Sequence, residues 1–274
     1  MRKILIWLLA AVLLLLPCGL AAGEENAPEE FESGDYVCRK QADGSVLLWK
    51  YRGEETEITI PAELDGCPVT AVGPAFMGNR RIVRVTMPDS VTDLWNGSFC
   101  GCIRLREIRL SENLQAVKEK TFKGCTSLRS ITVPNSVTLI GKEAFSDCSK
   151  LKSAVLSSGL TEIGEWAFNE CVRLKDLTIP EGVQVIRRAA FRRCDSLEEF
   201  VIPPTVTKIE TDVLYECRNI KLLVVPGSVT EFEGDSLGYG SDRTVVIDRD
   251  SAAVDYCISR GIQTVWSDEY EGNP

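Results

Sequence analysis

Cysteine is the residue type in this chain best placed to do chemistry, and its spacing is regular. Cys102, Cys125, Cys148, Cys171, Cys194 and Cys217 follow one another at intervals of 23 residues. A metal site would want four ligands converging on a tetrahedron, whereas positions repeated by a stacked unit form a straight file about 4.8 Å apart. Disulfides between neighbours need Cβ atoms about 3.5–4.5 Å apart in a twisted geometry, which a regular file does not quite offer. The spacing therefore favours a row of buried free thiols acting as small apolar side chains. Cys38, Cys67, Cys100 and Cys257 lie off the file, and an oxidising compartment would permit a Cys38–Cys67 bond.

The remaining chemistry is sparse. Histidine is absent, which removes Ser-His-Asp and Cys-His nucleophile pairs together with every histidine-containing zinc site. Carboxylate neighbours such as Glu198-Glu199 and Asp268-Glu269 fall on solvated positions, not on two walls of one cleft as glycoside hydrolysis requires. Thr92, Thr138, Thr161, Thr207 and Thr230 recur in phase, and β-propensity accounts for such a row as a hydroxyl ladder on a solvated sheet. Trp49, Trp95, Trp166 and Trp266 fall at unrelated phases, so no aromatic carbohydrate platform is expected. The expectation is a chain that is not an enzyme, with no catalytic residue, no cofactor and no metal.

The elements that position these residues follow from the same period. Phe99, Phe122, Phe145, Phe168 and Phe191 keep the 23-residue step, as do Leu105, Leu128, Leu151, Leu174 and Leu197. Val117, Ile140, Ile163, Ile186 and Ile209 form a third column, and Pro88, Pro134, Pro180, Pro203 and Pro226 a fourth, with Ser111 and Ser157 in register. One unit runs from Leu128 to Lys150. Its Leu128-x-x-Ile131-x-Val133 start is the alternating strand of a leucine-rich repeat, and Pro134 ends that strand by removing a backbone donor. A second extended piece from Val137 to Ile140 follows, and Gly141 leads into a short helical turn carrying Ala144, Phe145 and Cys148 on one inward face. A single unit of this size buries too little to fold alone, so the units must stack.

The predicted fold class is a β-rich, α+β solenoid: a leucine-rich-repeat stack with an N-terminal hairpin cap and a C-terminal strand-helix-strand cap. Residues 1–22 read as a signal peptide, with Arg2 and Lys3 before an apolar run from Ile4 to Leu16 and small residues near Ala21 and Ala22; the rival is a lipoprotein signal with Cys18 lipidated, which Pro17 before it fits poorly. Residues 23–34 read as an acidic disordered segment, residues 35–57 as the hairpin cap around Ala42-Asp43-Gly44, and residues 58–240 as the solenoid. The first repeat is lengthened by four residues around Asp65-Gly66-Cys67-Pro68. Residues 241–267 form the C-terminal cap and 268–274 a tail. The chain carries 31 basic and 40 acidic side chains, a formal charge of −9, which disfavours nucleic acid and anionic membranes as partners. No membrane insertion is expected once the signal is removed.

Three motifs carry a resemblance. They are Val137-x-x-Ile140-Gly141-x-x-Ala144-Phe145-x-x-Cys148, the opening from Tyr51 through Ile60-Pro61 and Asp65-Gly66-x-Pro68-Val69-Thr70-x-Val72-Gly73, and the closing Asp250-Ser251-x-Ala253…Tyr256…Gly261-Ile262. Over residues 36 to 266 the chain resembles the BspA-like leucine-rich-repeat family of bacterial surface and secreted proteins. The resemblance implies adhesion or binding of proteins or glycans at a cell or host surface, from a secreted or surface-associated location. The alternative is a structural spacer or surface-layer component with no specific ligand. Alternation along the first strand selects the outward positions for binding: one file includes Glu107 and Leu222, its neighbour Arg109, Thr132, Val155, Thr178, Val201 and Val224. The apolar end of these files, with Leu222 joining Val201 and Val224, is the candidate contact surface; the alternative is that β-propensity alone selects valine at such positions.

Overall fold

A computed structural model describes residues 29–238 and 243–272. The expected signal peptide and most of the acidic segment after it lie outside the described residues. Each repeat makes one rung of a coil with two short strands and a turn. The second strands form a single parallel sheet from Ala116–Val117 through Leu139–Ile140, Glu162–Ile163, Val185–Ile186 and Lys208–Ile209 to Glu231–Phe232. Partners along it are one repeat apart, Ile140 against Ile163 and Ile163 against Ile186. The first strands also pair in parallel, but as three separate sheets.

The turn between second strand and next first strand is not helical. It carries two left-handed residues per repeat, for example Glu143 (φ 53°) and Asp147 (φ 63°), then Trp166 (φ 57°) and Glu170 (φ 60°). The reason is hydrogen bonding between rungs. The N–H groups of Glu143, Phe145 and Asp147 donate to the carbonyls of Glu165, Ala167 and Asn169 at 2.8, 2.7 and 2.8 Å. A helical turn would direct those donors back along its own chain and leave the stack unjoined there. A left-handed non-glycine residue costs about 1–2 kcal/mol, which the third inter-rung ladder offsets.

The core is a set of straight files inside this coil. Phe76, Phe99, Phe122, Phe145, Phe168 and Phe191 are fully buried and stack with ring centroids 5.1–5.5 Å apart and planes within 4–13°. The stacking ends where Leu214 takes the column, and Phe191 instead meets Phe200 edge-on at 5.1 Å.

Both ends are closed. At the N-terminus Tyr36–Lys40 and Val46–Tyr51 pair antiparallel, and the second of these joins Cys67–Val72 in parallel. Tyr51 continues the phenylalanine file against Phe76 at 5.4 Å. The acidic segment is not disordered throughout: Glu30–Ser33 is a strand paired with Tyr36–Lys40, because Phe31 alternates inward among the glutamates and packs against the core. The four extra residues of the first repeat form a second hairpin, Glu63–Leu64 against Cys67–Pro68, turned by Asp65 and Gly66 with φ of 49° and 75°. At the C-terminus the helix Ala252–Ser259 lays Ala253, Tyr256 and Cys257 over the last rung, with Tyr256 stacked on Phe232 at 4.5 Å. Thr244–Ile247 and Val265–Trp266 flank it in one parallel sheet. No helix among the described residues is long and apolar enough to cross a membrane.

Candidate functional site

Short first strands with one buried residue between two outward ones build the face on which the binding residues were expected. Ile131, Ala154 and Phe200 point inward, so their neighbours must point out. Glu107, Arg109, Thr132, Val155, Thr178 and Val201 are all exposed. Val155 is 59% and Val201 39% exposed, and Thr178 occupies the same file between them. Val224 is half-buried. Leu222 departs from the expectation: it is only 8% exposed. Pairing on both sides is not the cause, since Ser153–Val155 is also paired on both sides and keeps Val155 exposed; the apolar contact surface does not extend to Leu222.

This face is also interrupted, which the sequence did not indicate. Pairing stops between Glu107–Arg109 and Ser130–Thr132, and again between Asp176–Leu177 and Glu199–Val201. A groove lies against each interruption. The larger, about 760 Å³, is lined by Val155, Asp176, Thr178, Pro180, Glu181 and Glu199 among others. The smaller, about 350 Å³, includes Arg109, Glu112, Thr132 and Asn135, and shares Val155 with the first. On the rim of the larger groove Lys175 and Glu198 pair at 3.0 Å. Their hydrogen bond lowers the Glu198 carboxyl and raises the Lys175 ammonium, so both stay charged at neutral pH.

The cysteine file is structural. Each thiol donates to the carbonyl of the phenylalanine one rung back: Cys125 to Phe99 at 3.2 Å, Cys148 to Phe122 at 3.3 Å, Cys171 to Phe145 at 3.2 Å and Cys194 to Phe168 at 3.2 Å. These thiols are buried and free, and Cys38 and Cys67 are likewise free. Burial raises the Cys148, Cys171 and Cys194 thiols and pushes Cys217 up to about 12. Cys125 is raised by its hydrogen bond with Cys102 and then by burial. Among the described residues no three histidine, cysteine or carboxylate side chains are grouped to hold a metal ion.

The threonine row is exposed, and the hydroxyls of Thr92, Thr161 and Thr207 turn to the rung behind, as Thr161 Oγ1 does to the Thr138 carbonyl at 3.3 Å. Trp49 and Trp95 do not stand at unrelated places. Leu48 pairs with Val72 and Val72 with Leu94, so the next residues, Trp49, Gly73 and Trp95, share one file. The two indoles meet over the bare glycine with centroids 6.0 Å apart and planes at 77°. Arg39 covers the free face of Trp49 at 3.3 Å, so this pair packs the cap instead of forming an open platform.

The family model for the BspA type leucine rich repeat region matches six copies, over residues 70–194 and 117–241. The chain belongs to the BspA-type leucine-rich-repeat family. Solved structures share its fold. A leucine-rich cell surface protein from Faecalibacterium prausnitzii A2-165 is 22% identical with a TM-score of 0.59, over 79% of this chain and 76% of that one. The leucine-rich-repeat protein of T. pallidum is 25% identical with a TM-score of 0.58, over 78% and 99%. A leucine-rich-repeat protein from Bacteroides ovatus ATCC 8483 is 22% identical with a TM-score of 0.60, over 88% and 68%. No curated protein matches the sequence. The BspA-type rung thus places Val155, Thr178 and Val201 on one uncovered face, while its thiols and aromatic rings are used to join rungs.

Proposed function

We propose that this BspA-type solenoid is a secreted or cell-surface binding protein that takes a protein partner on the exposed first-strand files, around Thr132, Val155, Thr178 and Val201. The observation that carries this reading is the exposure of Val155 and Val201 at 59% and 39%, beside a groove of about 760 Å³ where the sheet opens. Exposed apolar side chains beside a concavity, rimmed by charge, are the features that interfaces use. The likeness to a protein described as a cell surface protein supports the location.

The test is capture by the immobilised protein from a panel of extracellular matrix proteins and bacterial surface extracts, repeated with V155K/V201K. Threonine stands at neighbouring positions of the same file, so V155T/V201T serves as a fold-preserving control. The reading expects a partner that is lost from the lysine variant at unchanged circular dichroism. Undiminished capture by V155K/V201K would place the contact elsewhere.

A further inference from the structure

One edge of the solenoid carries only basic charge over several consecutive rungs. It is the corner just before each first strand, where two exposed files flank the buried leucine of the repeat. One file holds Arg81, Arg104, Lys150 and Arg173, with Ser127 in the gap. The other holds Arg106, Arg129, Lys152 and Lys175. Backbone bonds keep the second file in register: the N–H groups of Arg129, Lys152 and Lys175 donate to the carbonyls of Arg106, Arg129 and Lys152 at 3.2, 2.8 and 2.9 Å. The first file opens with Glu54, in phase with Arg81 and paired with it at 3.0 Å; from Arg104 to Lys175 no acidic residue enters either file.

The pairing state of these cations sets them apart. Elsewhere on the rungs Lys142 pairs with Glu165 at 2.7 Å, Arg187 with Glu210 at 2.8 Å and Arg193 with Glu216 at 3.1 Å. Arg104, Arg106, Arg129, Lys150, Lys152 and Arg173 have no carboxylate partner among the described residues. In a chain with 40 acidic against 31 basic side chains, six neighbouring unpaired cations form a local positive strip on an acidic molecule. Such a strip attracts anions that fit within it, whatever the net charge.

We propose that this edge is a binding site for a linear sulfated polysaccharide laid along the solenoid axis. Four rungs at about 4.8 Å each give the strip a length of about 14 Å between outer cations, and its width is two side chains. Arginine supplies four of the six, and its planar fork pairs bidentately with oxyanions. Neither file holds an aromatic side chain, so the stacking that retains single-stranded nucleic acid is missing. A duplex is wider than the strip. Its phosphates would lie over Glu107, Asp176 and Glu199 on the adjoining face, inside the screening length of about 8–10 Å. A single sulfated chain stays over the cations. The strip is distinct from the Val155–Val201 face, and its proposal stands or falls without it.

The experiment measures the affinity of the full chain for a size-defined heparin oligosaccharide, with desulfated heparin and a duplex DNA of equal charge as the other arms. The variant R104S/K150S/R173S installs the serine that Ser127 and Ser196 already hold in that file. It should weaken heparin binding by about tenfold or more, whereas K118S/K142S/K208S, with the same charge change along the second strands, should alter it less than about threefold. Where circular dichroism shows that the triple variant has not folded, R129S alone should still lower affinity by about threefold. The proposal is overturned if the wild-type chain does not bind heparin, if desulfated heparin binds equally, if both triple variants lose affinity alike, or if the DNA binds as tightly as heparin.

Discussion

Alkaline pH should unfold this protein through its thiol file. Cys125, Cys148, Cys171, Cys194 and Cys217 all have their thiols raised above the ordinary value of 9.0 in the folded chain. In the unfolded chain they ionise near that ordinary value. Below pH about 9 both states hold the proton and the thiols do not affect the balance; above it the unfolded state releases protons that the folded state keeps, so stability falls as pH rises. Each such thiol contributes a slope of about 1.4 kcal/mol per pH unit, and five together give about 7 kcal/mol per unit. A domain stability of about 5–15 kcal/mol is then exhausted within about one to two units above pH 9. The assay is urea unfolding followed by circular dichroism between pH about 8 and about 10, under reductant, for the wild type and for C148A/C171A. Removing two of five thiols should reduce the slope to about 4 kcal/mol per unit. A stability that stays level across this range, or a slope that the double variant leaves unchanged, would refute burial of protonated thiols as the cause.

The phenylalanine file and the rung register make their own predictions. F145A should cost about 3–5 kcal/mol in urea unfolding, while F145L, which keeps most of the apolar volume but loses the ring pairs with Phe122 and Phe168, should cost about 1–3 kcal/mol. Deleting residues 141–163 removes one period of 23 residues and joins Ile140 to Gly164 in register, so the shortened chain should still unfold cooperatively at a lower temperature. Deleting residues 141–152 breaks the register of every file and should abolish the cooperative transition.

The repeat was legible in the sequence because each inward position recurs with the same residue class: Phe145, Leu151 and Ile140 have counterparts in nearly every unit. What escaped was whatever depends on the neighbouring rung and not on the unit itself. The turn around Ala144 and Phe145 has helical spacing, yet donors from Glu143 to Asp147 reach the next rung, and that choice is made by stacking. The breaks in the first-strand sheet have no local signature, since Leu177 and Phe200 are as apolar as residues at paired positions. Leu222 reads as an outward residue by alternation, yet it is buried, and nothing in the repeat pattern signals that. Phe31 was overlooked among glutamates whose composition suggested disorder. The basic edge had a visible signal, Arg106, Arg129, Lys152 and Lys175 in phase, but a formal charge of −9 averages it away.

The claim that the first-strand face is the binding surface is tested most directly by site-specific photo-crosslinking. A photoreactive residue at Thr178 lies between Val155 and Val201 on that face, and one at Thr161 lies on the second-strand face with similar exposure. With extracellular matrix proteins or bacterial surface extract as the target, crosslinks to a polypeptide should form from Thr178 and disappear when V155K/V201K is added, while Thr161 should give none. Crosslinks from Thr161 at equal yield, or none from Thr178, would contradict the account.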